Sequence, residues 1–210
     1  MDASPDLQIL AMLALTAVIA GFVDTLAGGG GLITLPALML AQVPAIHALA
    51  TNKLQGTAGT AVSALTLLVR KKINLTEVKR PCAASFIGAT GGAVLIQHVD
   101  ARSIGVLVPL VLGVIALYFL WGPSVGTIVR RPRLSSAAYR RLVVPVIGFY
   151  DGFFGPGTGS FFSLAEVSLR GRDLISATAA AKAMNLASNL ASLIVFIVGG
   201  KVLWITGGVM

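Results

Sequence analysis

Apolar positions come in long runs along this chain, and polar positions gather in a few short connections. A helix that crosses a bilayer needs about 20 mostly apolar residues. Residues 7–26, 51–69, 82–97, 103–121 and 174–198 approach that pattern and predict five spanning helices. Two further regions are apolar but interrupted. Residues 32–43 are too short to span, and 142–169 are broken in the middle by "GPGTG". Another apolar run starts at Val202 and reaches Met210.

Composition points the same way. The chain has 210 residues, of which 56% are hydrophobic and 11% charged, with a mean hydropathy of +0.88. A soluble domain carries roughly 25% charged residues, so too little polar surface is left to face water. The expected class is an all-α integral membrane protein, with the lipid bilayer as its surroundings. The net charge of +8 lies in connections between apolar spans. That is the pattern of cytoplasmic loops, not of a nucleic-acid face with stacking aromatics. Asp2 and Asp6 stand where a cleavable signal peptide carries Lys or Arg, so the first apolar run is read as a retained anchor. The single cysteine, Cys82, excludes an intramolecular disulfide and a cysteine-rich metal site and is read as a packing residue. His47 and His98 fall in predicted connections and are too isolated for a metal site. No nucleophile–base constellation is visible, so the chain is not read as an enzyme, and no cofactor is called for.

The charges also give an orientation. Residues 70–80 hold five basic and one acidic residue, and 130–141 hold five basic and none acidic. Both are expected on the cytoplasmic side, with the N-terminus and the nearly neutral "HVDAR" outside. If the N-terminus and the start of the helix at 51 are both outside, residues 7–43 enter and leave by one face. They form a hairpin with "AGGGG" near its turn. Arg140, Arg141, Arg170 and Arg172 are by the same reasoning inside, which makes 142–169 a second hairpin entered from the other face.

The two hairpins share a word. "GFVDTLAGGGGLIT" at Gly21 matches "GFYDGFFGPGTGSFF" at Gly148, pairing Asp24 with Asp151, Gly28 with Gly155 and Gly30 with Gly157. The helices that follow match as well, pairing Lys53 with Lys182, Gly56 with Asn185 and Thr60 with Asn189. A unit of one hairpin plus three helices crosses an odd number of times, so the second copy must be inverted. The expected organisation is a first membrane repeat over 1–125, a basic cytoplasmic loop over 126–141 and a second repeat over 142–210. Measured against the first, the second copy is expected to lack about two helices of ~20 residues each. Inverted repeats with glycine-interrupted segments in corresponding places mark the binding site of secondary transporters.

Candidate chemistry follows from depth. Non-helical backbone at membrane depth survives only where protein buries it or a wet cavity borders it. Gly28, Gly29, Gly30 and Gly31, with Gly155 and Gly157, leave amides accessible. A half-helix starting at Leu32 would direct its positive end at the break. That suits a small anion, whereas tight helix packing is the plainer reading of small residues. "AGGGGLIT" lacks the Gly-Lys-Ser/Thr ending of a phosphate loop. Lys53 and Lys182 lie inside predicted helices, where ionisable groups are costly and usually functional. If each sits ~8–12 Å below its own face, they approach the midplane of a ~30 Å core from opposite sides. Snorkelling to the interface is the competing account of Lys53. Thr51, Asn52 and Gln55 beside Lys53, and Asn185 and Asn189 beside Lys182, add neutral hydrogen-bonding groups, or merely glue between helices. Asp24 and Asp151 are open to three roles, as counter-ions, proton carriers or caps at the break, with capping in front. "GATGG" reads as a close helix crossing.

Read together, "GFVDTLAGGGGLITLPALML…ALATNKLQGTAGTA" and "GFYDGFFGPGTGSF…ATAAAKAMNLASN" resemble the two halves of the sulfite exporter TauE/SafE family of bacterial membrane transporters. The resemblance implies a multi-pass inner-membrane transporter of two inverted repeats. Its substrate would be a small anion such as sulfite, an organosulfonate or a related sulfur oxyanion. The family's glycine, lysine and asparagine positions fall on Gly28–Gly31, Asn52, Lys53, Gly155, Gly157, Lys182, Asn185 and Asn189. Two other functions stay open: a non-transporting membrane subunit or assembly factor, and a cation carrier using Asp24 and Asp151. Self-association into a homo-oligomer is also open.

Overall fold

The computed structural model describes residues 6–121 and 131–210, and all the regular structure among them is helical. The first half runs α1 (Leu7–Ala27), a break, α2 (Gly31–Leu40), α3 (Ala45–Val69), α4 (Leu75–Ile96) and α5 (Ala101–Trp121). The second half opens with the single turn α6 (Ser136–Ala138) and a π-helical turn over Tyr139–Val143, which lead into α7 (Val144–Phe153). A second break separates α7 from α8 (Thr158–Arg170). Then come α9 (Leu174–Val198) and the short α10 (Trp204–Val209). The expected boundary between 125 and 126, and Arg130, lie outside the described residues.

Two helices start earlier than the hydropathy pattern predicts. α3 begins at Ala45 rather than at Thr51, because Pro44 stands at its N-cap and the alanine-rich residues 45–50 extend the helix. His47 is therefore helical and not in a connection; its Nδ1 lies 2.7 Å from the Lys201 carbonyl oxygen. α4 begins at Leu75 rather than at Cys82. The Asn74 side chain caps it by accepting from the Thr76 amide at 3.1 Å and donates to Glu77 at 2.9 Å. Lys79 and Arg80 are thus helical, and the connection proper is only a few residues long. α1 and α9 match the predicted spans closely, and α5 starts two residues before its predicted one.

Among the described residues, three helices are long and apolar enough to cross a membrane by length and composition: 7–26 within α1, 101–118 within α5, and α9. α3 and α4 have the length, at 25 and 22 residues, but carry more polar positions. α1 and α5 bury little of their surface, leaving Leu15, Val18, Phe22, Val106, Leu110 and Val114 exposed, while α9 is more than half buried. Apolar side chains directed outward are what lipid-facing helices present.

Two apolar clusters make the core. One gathers Leu13, Leu35, Leu38, Leu49, Ile96, Ile104, Val108 and Phe196. The other gathers Ala64, Val78, Val144, Phe162, Ala180 and Met184. Along α3 the first cluster holds Ala48–Ala50 and the second holds Ala64, and the polar residues from Asn52 to Ser63 lie between them. Along α9 the order is reversed: Ala179–Met184 belong to the second cluster and Leu193 and Phe196 to the first, with Asn185–Ser192 between. α3 and α9 therefore run in opposite senses past each other and meet polar segment to polar segment. The amide of Leu203, just beyond α9, confirms the sense by donating to the Thr51 hydroxyl at 3.2 Å, near the start of α3.

The "GATGG" crossing is present, and its partner is α7. A Cβ placed on Gly92 would fall 2.0 Å from the Phe149 carbonyl oxygen, and one on Gly152 would fall 1.9 Å from that of Ala89. Backbone meets backbone there, which only residues without side chains allow.

Candidate substrate site

The two helix breaks meet in the middle of the molecule. α1 ends on Gly28, whose φ of 79° is left-handed and whose amide returns to the Asp24 carbonyl at 2.7 Å. A Cβ on Gly28 would lie 2.6 Å from the backbone of Gly159 in α8, and one on Gly31 would lie 3.3 Å from Pro156. The second break is built on Gly155 and Gly157, with φ of 97° and 76°. The Thr158 hydroxyl donates to the Gly155 carbonyl at 2.8 Å, and the Tyr150 hydroxyl to that of Pro156 at 2.7 Å. Both half-helices, α2 and α8, begin at these breaks, so two positive helix ends converge on one region.

The four charged side chains at the breaks form two crossed ion pairs. Lys53 of α3 meets Asp151 of α7 at 2.8 Å, with both side chains 1% exposed. Lys182 of α9 meets Asp24 of α1 at 3.2 Å and also donates to the Asp24 backbone carbonyl. Each lysine is thus neutralised by the aspartate from the other half of the chain. Lys53 makes a further bond to Asn189 Oδ1 at 3.1 Å. Asp24 has a second task, since its Oδ1 accepts from the Gly30 amide at 3.2 Å, across the break. Cap and counter-ion are combined in Asp24. Asp151 serves as counter-ion to Lys53, and its Oδ2 is buried without a hydrogen-bond partner.

Beside the pairs is a small cavity of about 30 Å³. Of the residues singled out from sequence, Gly28, Gly30, Gly31, Asn52, Gln55, Gly155, Gly157, Asn185, Asn189 and Asp24 line it. Gly29 and Thr51 do not. Neither lysine lines it: each ammonium sits one layer back, at its carboxylate. A site that used both lysine charges in direct contact with a substrate would instead have them in the cavity wall. The reason they sit back is electrostatic, since a buried ammonium is tolerated where a carboxylate and hydrogen bonds hold it. Lys53 is also not at an interface as snorkelling would require, being 1% exposed.

Sequence reasoning missed several wall residues. Gly21, Gly56, Gly59 and Thr60 line the cavity, and a Cβ placed on Gly56 would lie 3.7 Å from Asn189 Oδ1. The aligned words already pair Gly56 with Asn185 and Thr60 with Asn189, a signal that was there to use. Thr34 of α2, unmarked in the sequence, donates to Asn52 Oδ1 and so fixes that amide. Among the described residues no cluster of His, Cys, Asp and Glu could hold a metal ion.

Comparison with known proteins agrees with this architecture. The model of the sulfite exporter TauE/SafE family matches residues 13–210. The chain belongs to the TauE/SafE family. Its relatives include the "Probable membrane transporter protein YfcA" of Escherichia coli K12, 44% identical over 202 residues, which are 96% of this chain and 75% of the relative. A "Probable membrane transporter protein" of Haemophilus influenzae is 45% identical over 204 residues, 97% and 80% of the two chains. "Probable membrane transporter protein ORF9" of Sinorhizobium sp is 43% identical over 203 residues, 97% and 78% of the two. No solved structure gives a significant match. TauE/SafE proteins are membrane transporters and not enzymes.

Proposed function

We propose that this TauE/SafE protein carries a small anion, a sulfur oxyanion such as sulfite or an organosulfonate, by alternating access between two inverted repeats. The observation that carries the reading is the pair of crossed Lys–Asp bridges behind one cavity on which both helix breaks open. Two half-helix N-termini and the amides of Gln55, Asn52, Asn185 and Asn189 offer donors to an oxyanion's oxygens. Lys53 and Lys182 supply positive charge from one layer back, while Asp24 and Asp151 moderate it. A transported ion must be held well enough to enter and weakly enough to leave, and a site whose two lysines are each paired with an aspartate would hold an anion through amides and helix ends without trapping it. The opposed sense of α3 and α9 supports inversion. A cavity of about 30 Å³ has room for two waters or so. A hydrated anion does not fit, so transport includes an opening of this conformation.

The orientation that goes with this proposal has the N-terminus outside the bacterial inner membrane and the loops at 70–80 and 130–141 in the cytoplasm. The ion pair between Arg172 and Glu77, 2.7 Å apart, supports it by joining the end of the second hairpin to the start of α4 on one side. A cation carrier is the second reading, favoured by the presence of Asp24 in the cavity wall. A non-transporting subunit would leave Lys53 and Lys182 facing other helices, as they do, but would not call for a cavity at the breaks.

Flux into proteoliposomes holding the full-length protein tests the proposal, with sulfite, sulfoacetate, sulfate and thiosulfate as candidate substrates and sodium as the cation control. Anion flux that is lost in Lys53→Met and Lys182→Met, with protein levels intact, is the expected outcome. Normal anion flux in both variants sinks it, and sodium flux in their place gives the site to a cation.

A further inference from the structure

A second and larger cavity, about 530 Å³, lies away from the helix breaks, between the start of α4, the turn at Tyr139–Arg140 and the end of α8. Its wall carries Lys79, Arg80, Arg140, Arg170 and Arg172. Two carboxylates face them, and both are held by one residue: Arg172 reaches Glu77 at 2.7 Å and Glu166 at 3.2 Å. Arg170 spends its donors on neutral acceptors, the Leu134 carbonyl at 2.8 Å and the Ser136 hydroxyl at 2.6 Å. Lys79, Arg80 and Arg140 have no ion-pair or hydrogen-bond partner among the described residues. Five cations against two carboxylates leave the pocket three positive charges in excess.

The same wall contains Tyr139, a fully buried side chain whose hydroxyl makes no well-formed hydrogen bond; it lies beside the Glu166 carboxylate, whose Oε2 is likewise without one. Burial, with the Glu166 carboxylate beside it, pushes this hydroxyl far above the usual tyrosine range, so it stays protonated and remains a donor. A buried donor left without an acceptor is costly in a folded protein and calls for an explanation. Here it borders a pocket of uncommitted guanidinium groups, on a π-helical turn of the kind that often marks a functional site. An acceptor with several oxygens and more than one negative charge would suit the uncommitted guanidinium groups of this wall.

We propose that this pocket binds a phosphate group, carried by an anionic phospholipid headgroup or by a free phosphate compound, held by Arg80, Arg140 and the Tyr139 hydroxyl. Guanidinium groups match phosphate oxygens in paired hydrogen bonds. Basic pockets between helices on the cytoplasmic side of a membrane are suited to such headgroups. The site differs from the one at the helix breaks, where every charge already has a partner.

Binding to the full-length protein in neutral detergent tests this, using short-chain phosphatidylglycerol, short-chain phosphatidylcholine, inorganic phosphate and ADP as probes. Phosphatidylglycerol is expected to bind and to raise the melting temperature, while phosphatidylcholine is expected to bind at least about tenfold more weakly because its headgroup has no net charge. Displacement of phosphatidylglycerol by phosphate or ADP would assign the pocket to a free phosphate compound, and failure to displace it would assign it to the lipid. The double variant Arg80→Gln/Arg140→Gln is expected to lose at least about tenfold in affinity. Neither residue has a partner to strand, so the fold should be untouched. Tyr139→Phe gives the independent reading: the unliganded protein should be as stable or more so, with weaker phosphate binding. Absence of binding by every phosphate probe overturns the proposal. So does undiminished affinity in the arginine double variant, or a Tyr139→Phe protein that is destabilised yet binds normally, which would mean that the hydroxyl serves Glu166.

Discussion

Asp24 and Asp151 occupy the same place in two similar words, yet each finds its lysine in the other half of the chain. That arrangement separates structural from functional loss. Lys53→Met alone leaves Asp151 buried without its partner, and breaking such a pair costs about 3–5 kcal/mol. The melting temperature of the detergent-purified protein should fall clearly. The double variant Lys53→Met/Asp151→Asn removes both charges, so most of that stability should return while anion flux stays absent. If flux returned with the stability, the pair would be scaffolding only. The glycines divide in the same way. Gly28→Ala forces a left-handed φ on a side chain and drives it into Gly159, a loss of more than about 2 kcal/mol. Gly59 also lines the cavity but has open space around its Cβ position. Gly59→Ala should fold as well as the parent and yet slow transport, as comparison of melting temperature with flux would show.

Among the elements, the α4–α7 crossing is the least forgiving, because carbonyl oxygens occupy the space a side chain would need. Gly152→Leu should part the two helices at a cost of 1–3 kcal/mol or more, about what overpacking entails. Gly113→Leu on α5, where nothing lies within 4 Å, should have no such effect on expression or melting. The sequence made the existence of this crossing readable, since small residues four apart leave few other uses. It did not name the partner, because nothing in "GATGG" points to α7. Helix starts were readable in part. Pro44 and Asn74 are both start signals, but residues 75–81 are too polar to register as membrane helix, and His47 interrupts the short apolar run at 45–50. The breaks were placed to within a residue or so because four consecutive glycines and "GPGTG" leave a helix little alternative. The cavity wall came out less completely. Gly56 and Thr60 occupy the α3 positions that Asn185 and Asn189 occupy on α9, and a glycine lining a wall carries no chemical mark of its own. The crossing of the ion pairs was not readable at all, since an alignment of repeats shows which residues correspond and not which ones touch.

At the scale of the whole molecule, the two basic stretches that the charge pattern assigned to one side do come together around a single pocket. The assignment to a side can be checked by labelling. With Cys82 replaced by Ser, a cysteine at His98 should react with a membrane-impermeant maleimide in spheroplasts. A cysteine at Lys71 should react only after the membrane is opened. The reverse pattern would turn the molecule over. Labelling of both in sealed spheroplasts would dismantle the two-sided topology.

The crossed bridges also bear on how the protein is made. A chain enters the membrane from its N-terminus, so Asp24 and Lys53 arrive in the bilayer well before Asp151 and Lys182 exist. Until then the early half is an intermediate whose charges lack their final partners, and it is exposed to membrane proteases. Residues 1–125 expressed alone should turn over quickly. Supplying residues 126–210 from a second gene should slow that turnover, and should fail to do so when the second piece carries Asp151→Asn and Lys182→Met. Completion of the molecule would then be sensed by the cell as charge neutrality.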